Sequence, residues 1–332
     1  MRVKDLISFG EVMIRLSPPG YQKIEQATQL DLHVGGTELN VAIGAGRLGL
    51  ETGYVTRLPE NSLGCLVRNR IREQGVDISN IQWSDRDRLG LYFVEAGTNP
   101  RGGDLIYDRA HSAISRLDPG SFNWAEIFQP YRHFHITGIT PALSEAAARA
   151  TEDAMTAAKA AGLTVSFDVN YRAKLWSEVD ARTCLEPLLP HVDILFSSVG
   201  EIRQIFAVQA DGLKETGQAL EEKYGIPVVA MMRSDKHSVL RMAWRAVVYS
   251  GGKLFEDIPI EVEIADRIGG GDAFAAGFLY AYLRKDGDVA ESLRYGNATA
   301  ALKYTHRGDF SWSTLDEVEG LIRGKGGLAM KR

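Results

Sequence analysis

Apolar positions in the middle and C-terminal parts of the chain cluster in short, mainly apolar runs separated by helical patterns. Residues 163–167, 192–196 and 227–232 are such runs, and each has the length of a buried strand. Between the predicted strands, Thr140-Pro141 can start an alanine-rich helix that Gly162 can end. Strands that alternate with helices predict an α/β fold with a mostly parallel central sheet flanked by helices on both faces.

Two stretches break this alternation because they are extended and carry few helix signals. They cover about residues 12–34 and 89–112. We expect them to form a small projecting β-sheet that serves as a lid, with edge strands that a homodimer through the lid would protect. No Pro/Gly/Ser-rich linker or repeat divides the chain, so residues 1–332 are predicted to form a single domain that includes this lid.

Composition and charge narrow the classes of function. The formal net charge is -5, and acidic and basic residues are interspersed along the chain. The sequence therefore lacks the basic stripe that would predict nucleic-acid binding. The only cysteines, Cys65 and Cys184, are far apart and favour a reducing compartment over a disulfide scaffold. Asp5 and Glu11 interrupt the apolar N-terminal stretch, and no apolar run of about 18 residues occurs. We therefore expect a cytoplasmic protein that binds no membrane.

The segment Gly269-Gly270-Gly271-Asp272 carries the most informative chemistry. An extended alternating run precedes it and an apolar helical stretch follows it. Glycines let the backbone approach a ligand closely, and the first N–H groups of a helix can bind an anion such as a phosphoryl group. An aspartate at that helix start could take a proton from an attacking hydroxyl. The same segment could also be an ordinary turn in which Asp272 is only the N-cap.

Together with a second motif, this segment resembles the ribokinase-like (PfkB) carbohydrate kinases. The second motif is VGGTELNVAIGAGRLG at residues 34–49, more than 200 residues before Asp272. The resemblance covers essentially the whole chain and implies a ribokinase-like α/β fold with ATP and Mg²⁺ as cofactors. It also implies that Asp272 is the catalytic base and that Gly269 to Gly271 form the anion hole.

Several shorter segments resemble the branch of this family that phosphorylates the 6-hydroxyl of 2-keto-3-deoxygluconate, a small sugar acid. The substrate-binding residues that this resemblance implies are Gly36, Asn40, Tyr92, Tyr107, Arg109, Arg172 and Asp309. The nucleotide-binding residues that it implies are Ser198, Glu201, Arg233 and Asn297, with Glu201 also acting on the metal through water. Arg109 and Arg172 suit a sugar acid, because a guanidinium can bind the carboxylate of such a substrate in a bidentate way.

The chain departs from the pattern of this branch at two positions. Asp108 stands where close relatives often have a tyrosine, and it could repel an anionic substrate or hold Arg109 in place. Ser198 replaces the asparagine of an Asn-x-x-Glu element and leaves only Glu201. A serine can still bind a phosphate oxygen or a metal-bound water.

Other functions stay open from the sequence alone. The substrate could be another sugar, as in a fructokinase, a ribokinase or a 2-keto-3-deoxygalactonate kinase, or the chain could be a non-catalytic sugar-binding relative. The pattern GxGxxG at Gly44–Gly49 is also that of dinucleotide-binding proteins, but here it continues a helical pattern instead of opening a helix. His133 and His135 point the same way along a predicted strand, yet no acidic or thiolate partner lies near them to complete a zinc site.

Overall fold

A computed structural model describes residues 3–118 and 120–324, and its strands form a large sheet and a small one. The strands are β1 Lys4–Phe9, β2 Met13–Ser17, β3 Asp31–Gly35, β4 Thr52–Pro59, β5 Ile81–Ser84, β6 Gly90–Glu95, β7 Asp104–Asp108, β8 Tyr131–Thr137, β9 Thr164–Asp168, β10 Ile194–Ser198, β11 Val228–Lys236, β12 Arg241–Ser250, β13 Lys253–Glu256 and β14 Ile260–Glu263. The large sheet has the order β13-β12-β11-β10-β9-β8-β1-β4-β5, with β14 paired to β12. All pairs from β11 to β5 are parallel, and β12 to β14 add an antiparallel edge.

Helices cover both faces of the large sheet. They are α1 Thr37–Arg47, α2 Ser62–Glu73, α3 Trp124–Phe128, α4 Glu145–Ala160, α5 Glu178–Leu185, α6 Val199–Phe206, α7 Leu213–Tyr224, α8 Gly270–Arg284, α9 Val289–Lys303 and α10 Leu315–Ile322. Leu6 of β1 packs into a core that includes residues of α1, α8 and α9, whereas its neighbour Ile7 packs into a second core with α4, α5 and α6. The predicted mostly parallel α/β architecture is thus confirmed. Within the described ranges, no helix is both long and apolar enough to cross a membrane.

The helix expected after Thr140-Pro141 begins later than its sequence signals indicate. Pro141–Leu143 form a short 3-10 helix, and α4 starts only at Glu145. The Ser144 hydroxyl caps α4 by accepting from the Ala147 N–H at 3.1 Å. Thr140 makes no capping hydrogen bond, because its hydroxyl donates to the buried carboxylate of Glu38 at 2.7 Å instead. A long-range contact therefore overrides the local capping signal.

The glycine pattern that begins at Gly44 serves helix packing. It lies in the C-terminal half of α1 and just beyond, not at the start of the helix. A side chain at Gly44 would have its Cβ only 2.7 Å from the Cβ of Ala276 in α8. The glycine thus lets α1 and α8 approach closely, which agrees with the helical pattern of the sequence and not with a dinucleotide-binding turn.

The small sheet is the predicted lid and has the order β3-β2-β6-β7. Its two faces differ sharply, because side chains alternate along each strand. One register row reads His33, Arg15, Tyr92 and Tyr107, and the adjacent row on the opposite face reads Leu32, Leu16, Phe93 and Ile106. The polar and aromatic row faces the cavity described below, and the apolar row faces away from it.

Candidate active site

A large cavity opens where the parallel strands of the central sheet end. It has a volume of about 850 Å³, within the range of small-molecule sites. Residues at or just after the carboxyl ends of β1, β8 and β9 contribute Glu11, Ile139 and Asp168 to its wall. The lid forms the opposite wall, and the N-terminus of α8 closes one end. Ligands of α/β sheets bind at this strand edge, so the topology itself points to a ligand site.

The glycine turn before α8 leaves three backbone amides free for a ligand. The first hydrogen bond of α8 runs from the Ala273 N–H to the Gly269 carbonyl at 2.9 Å. The amides of residues 270–272 therefore have no partner in the helix, and no described residue accepts a hydrogen bond from them through its side chain. Gly269 adopts a left-handed conformation with φ of 82°, and a Cβ there would lie 2.1 Å from the Asp309 carbonyl oxygen. Only glycine fits this turn.

Asp272 lies at the start of α8 and lines the cavity while being only 9% exposed. The side-chain amide of Asn40 donates to its carboxylate at 2.6 Å. Burial raises the pKa of Asp272 to about 6, although the Asn40 hydrogen bond and the positive charges of Arg172 and Lys303 act in the opposite direction. The carboxylate is thus ionised at neutral pH, yet its affinity for a proton is higher than that of an exposed aspartate. Both properties suit a general base.

The inner face of the lid presents aromatic rings to the cavity. The rings of Tyr92 and Tyr107 stack with centroids 5.9 Å apart. The Tyr92 hydroxyl donates to the carboxylate of Asp309, which is only 2% exposed. Burial raises the pKa of Asp309 to about 6, and Arg15 opposes that shift. All three residues, which the resemblance implied to bind the substrate, line this one cavity.

Arg15 joins the lid to the core, and the sequence interpretation missed it. Its guanidinium reaches Asp309 at 3.2 Å and Asp266 at 2.8 Å, and all three side chains are buried. Asp266 also accepts hydrogen bonds from the N–H groups of Ile268 and Gly308 at 3.0 and 3.1 Å. The lid strand β2 is therefore tied to the loop that leads into the glycine turn. A charged residue at an inward position of a strand, here between Ile14 and Leu16, is the one sequence signal that could have indicated it.

The two arginines expected to bind a sugar carboxylate lie in different environments. Arg109 is 8% exposed and forms a buried ion pair with Glu11, whose carboxylate accepts from its Nε at 2.8 Å. Arg172 is exposed at the cavity wall, donates only to the Tyr171 carbonyl, and forms no ion pair within residues 3–118 and 120–324. The positive charge of Arg172 is thus the freer of the two for an anionic ligand.

Asp108 does not contact Arg109. Its carboxylate forms a bidentate pair with Arg88, at 2.5 and 2.6 Å, on the surface of the protein. The hydrogen bonds of Arg88 hold the pKa of Asp108 below its usual value. Arg88 therefore neutralises the negative charge of Asp108. The Asp108 side chain neither holds Arg109 nor lines the cavity.

Glu38 is a second buried acid of the cavity that the sequence interpretation did not single out. It lies on α1 close to Asn40 and is 1% exposed. The hydroxyls of Thr137 and Thr140 each donate to its Oε1 at 2.7 Å. Burial raises the pKa of Glu38 to about 7, the two threonine hydrogen bonds lower it, and the charge of Asp272 adds to the rise.

Glu201 and Ser198 form the N-terminal cap of α6. The Ser198 hydroxyl accepts from the Glu201 N–H at 3.2 Å, and the Glu201 carboxylate accepts from the backbone N–H groups of Ser198 and Tyr171, each at 2.9 Å. Glu201 also lines the cavity, whereas Ser198 does not. Burial and the charges of Glu201 and Asp272 raise the pKa of nearby Asp168 well above its usual value. Three acidic groups thus meet at this end of the cavity.

Twelve of the fifteen site residues expected from the sequence line this cavity. The three outside it are Ser198, Arg233 and Asn297. Arg233 is exposed on β11, and Asn297 is fully buried, with its side-chain oxygen bound by the Ala246 N–H at 2.9 Å.

The paired histidines of β8 lie in the core and not at a metal site. Both are fully buried, and a ring nitrogen of each lies 2.8 Å from the Ser166 hydroxyl. Burial lowers the pKa of His133 and of His135 to about 3, so both rings are neutral. In the part of the chain that the structure describes, no group of three or more His, Cys, Asp or Glu side chains is arranged to hold a metal ion.

Comparison with known proteins identifies the family. The model of the pfkB family of carbohydrate kinases matches residues 3–314. The chain belongs to this family. It is therefore an enzyme of the phosphotransferase class that acts on a carbohydrate.

Individual relatives of this pfkB-family chain include kinases of two sugar acids. A 2-dehydro-3-deoxygalactonokinase from Haloferax volcanii is 38% identical over 320 residues, 96% of this chain and 97% of the relative. The crystal structure of 2-dehydro-3-deoxygluconokinase from Thermotoga maritima has a TM-score of 0.94 at 34% identity, covering 97% of this chain and 99% of that chain. A structure from E. coli in complex with ATP and Mg²⁺ has a TM-score of 0.84 at 25% identity, over 97% of this chain and 100% of that chain. These similarities confirm the ribokinase-like fold expected from the sequence.

Proposed function

We propose that this pfkB-family kinase transfers the γ-phosphoryl group of ATP to the 6-hydroxyl of a sugar acid, with 2-keto-3-deoxygluconate as the first candidate. One observation carries the proposal: the carboxylate of Asp272 and the free amides of residues 270–272 face the same cavity under the lid. A base and an anion hole at one helix start are the two elements that phosphoryl transfer to a hydroxyl requires.

The roles follow from the groups around Asp272. Its carboxylate takes the proton from the sugar hydroxyl, and the amide of Asn40 at 2.6 Å fixes the orientation of that carboxylate. Negative charge that develops on the migrating phosphoryl group is stabilised by the free amides of residues 270–272 at the N-terminus of α8. We assign sugar binding to Gly36, Asn40, Tyr92, Tyr107, Arg109, Arg172 and Asp309.

The cavity fits a nucleotide that carries Mg²⁺. Burial and the charges of Glu201 and Asp272 raise the pKa of Asp168 at one end of it, so a cation would be attracted there, although the described acidic side chains are not arranged as a set of direct ligands. Glu201 would act on Mg²⁺ through water, and Ser198 and Arg233 are further candidate contacts for the nucleotide. The amide oxygen of Asn297 is already bound in the core, which leaves it the least accessible of the four. Bound Mg²⁺ supplies positive charge to the phosphates. The dependence on ATP also leads us to propose a cytoplasmic location.

An acidic sugar is favoured by the free charge of Arg172. Arg109 is neutralised by Glu11, so of these two arginines Arg172 is the one available to pair with a substrate carboxylate. The named relatives are also kinases of sugar acids, one of the galacto epimer and one of the gluco epimer. 2-Keto-3-deoxygalactonate is therefore the second candidate substrate.

A substrate panel tests this choice. Release of ADP is measured with 2-keto-3-deoxygluconate, 2-keto-3-deoxygalactonate, fructose and ribose at equal concentrations. We expect both sugar acids to exceed both neutral sugars in kcat/KM by roughly 100-fold, the value of a charge-assisted contact to the carboxylate. Higher kcat/KM for fructose or ribose would rule out the sugar-acid assignment, and no turnover of any sugar would favour a non-catalytic relative.

The pH dependence of kcat/KM is expected to show an acid limb centred near pH 6. The pKa of Asp272 is raised to about 6 and only the ionised carboxylate is a base, so activity should fall about tenfold per pH unit below that value. Direct quantification of ADP at saturating ATP avoids the pH dependence of coupling enzymes. Glu38 is another buried acid of the cavity with a raised pKa, so Glu38→Gln is the control. The acid limb should remain in this variant, because Asp272 still titrates. A limb near pH 4, the value of an ordinary aspartate, would contradict the assignment.

We also propose that two chains form a homodimer through the outer faces of their lids. The apolar row there includes Leu32 and Ile106, which are 42% and 49% exposed, and a second copy would cover it. Sedimentation velocity should find a dimer for the wild type and a monomer for the double variant Leu32→Asp/Ile106→Asp. Ile258→Asp, at an isoleucine 80% exposed outside the lid, is the matched control and should remain dimeric. A monomeric wild type would exclude this interface.

A further inference from the structure

A fully buried lysine lies behind the glycine turn. Lys303 is the last residue of α9 and has no measurable exposure. Its ammonium donates one long hydrogen bond, 3.4 Å, to the His306 carbonyl, and it has no carboxylate within 4 Å among residues 3–118 and 120–324. A buried charge is strongly destabilising unless other groups offset it, so a lysine with so few partners requires a reason.

The stem of Lys303 packs against the turn itself. A Cβ at Gly269 would lie 3.2 Å from the Cε of Lys303, so no other side chain separates the lysine from this turn. The free amides of residues 270–272 open to the cavity from the same turn. Lys303 is not part of the cavity wall, which the glycine turn forms at this point.

Charged groups around Lys303 act on its pKa in both directions. Burial lowers its pKa to about 8, and repulsion by Arg15 acts in the same direction. The carboxylates of Asp266 and Asp272 attract the ammonium and raise the pKa. Asp266 is already paired with Arg15 at 2.8 Å and with two backbone amides, so Lys303 is not needed as its counter-ion.

We infer that Lys303 is a positioning residue whose buried positive charge holds the turn Gly269–Gly271 in its anion-binding form and favours negative charge at the amides of that turn. In a water-poor interior such a charge acts over several ångströms with little screening. The inference rests on the proposed function for the identity of the anion, a phosphoryl group in transfer. It goes beyond that function because it assigns part of the electrostatic stabilisation to a side chain outside the cavity.

Lys303→Met separates this role from simple packing. Methionine has nearly the length of lysine without the charge, and replacing a buried charge by an apolar side chain is often neutral or stabilising. We expect the melting temperature to stay equal or rise, while kcat falls roughly 100-fold and KM for the sugar changes less than about threefold. Binding of the non-hydrolysable analogue AMP-PNP with Mg²⁺, measured by calorimetry, should weaken about tenfold.

Two further variants keep the test decisive. Lys303→Gln removes the charge with a polar side chain and should show the same loss if the methionine variant does not fold. Lys223→Met, at a half-exposed lysine of α7 paired with Glu186, should leave the kinetics unchanged. A folded Lys303→Met protein with kcat within threefold of the wild type would overturn the inference while the proposed function stands. If the wild type phosphorylates no sugar, the proposed function fails, and unchanged AMP-PNP affinity in Lys303→Met would then refute the role of Lys303 separately.

Discussion

Replacing Asp272 with asparagine is expected to lower kcat by roughly 10³-fold or more while KM for the sugar changes little. Asparagine keeps the shape of the side chain and an oxygen that can accept from Asn40, but it cannot take a proton from the substrate hydroxyl. Loss of a general base alone costs about 10²- to 10⁴-fold in rate. Because the interaction is made in the transition state, the loss should appear in kcat and not in sugar affinity.

Steady-state release of ADP from the wild type and Asp272→Asn, with calorimetric binding of the sugar, measures both quantities. Asp153→Asn in the exposed part of α4 is the matched control, and its kinetics should equal those of the wild type. A loss of only a few-fold in Asp272→Asn would mean that the carboxylate is not the base. Asp272 would then be only an acidic residue in the first turn of α8, whose N-cap is Gly269 and not Asp272 as the sequence also allowed.

Replacing Arg172 with methionine is expected to raise KM for 2-keto-3-deoxygluconate by roughly 100-fold with a smaller effect on kcat. A charge-assisted hydrogen bond is worth about 1.5–3 kcal/mol, which corresponds to about 10- to 150-fold in affinity. Arg172 is exposed and donates only to a backbone carbonyl, so its loss should leave folding intact. Arg172→Lys keeps the charge but lacks the planar guanidinium. Its KM should therefore lie between those of the wild type and Arg172→Met.

Arg109→Met is the informative comparison for Arg172, because the buried ion pair of Arg109 gives it a structural role. Removing this guanidinium leaves Glu11 buried without its cation, a change that typically costs about 3–5 kcal/mol of stability. Denaturant unfolding should therefore show a large loss for Arg109→Met and almost none for Arg172→Met. Unchanged KM in a folded Arg172→Met protein would remove the assignment of Arg172 to the substrate carboxylate.

Local sequence patterns predicted which segments form strands, because buried strands are mainly apolar along their length. They did not predict where the strands end. The runs at 192–196 and 227–232 did become strands, but β10 and β11 begin one or two residues later, and β11 continues to Lys236. The continuation depends on pairing with β12, which no local pattern shows. The late start of α4 has a similar cause, because Thr140 is drawn to Glu38, which lies 102 residues away in sequence.

The residues of the candidate site also fall into two groups, those that a local segment predicts and those that depend on distant partners. Asp272 and its glycines are visible in the sequence because one short segment holds the turn, the acid and the helix start. Arg15, Glu38 and Lys303 were missed because each depends on distant partners; Asp309, for example, is 294 residues from Arg15. The different environments of Arg109 and Arg172 could not be anticipated either, since they depend on where Glu11 lies after folding.

The most direct measurement of the central claim is identification of the product. The purified protein is incubated with ATP, Mg²⁺ and 2-keto-3-deoxygluconate, and phosphorus NMR follows the reaction beside the Asp272→Asn variant. We predict one phosphomonoester signal coupled to the protons at C6, formed in equal amounts with ADP by the wild type and far more slowly by the variant. Inorganic phosphate without an ester, an ester at another carbon, or equal rates for the two proteins would contradict the account.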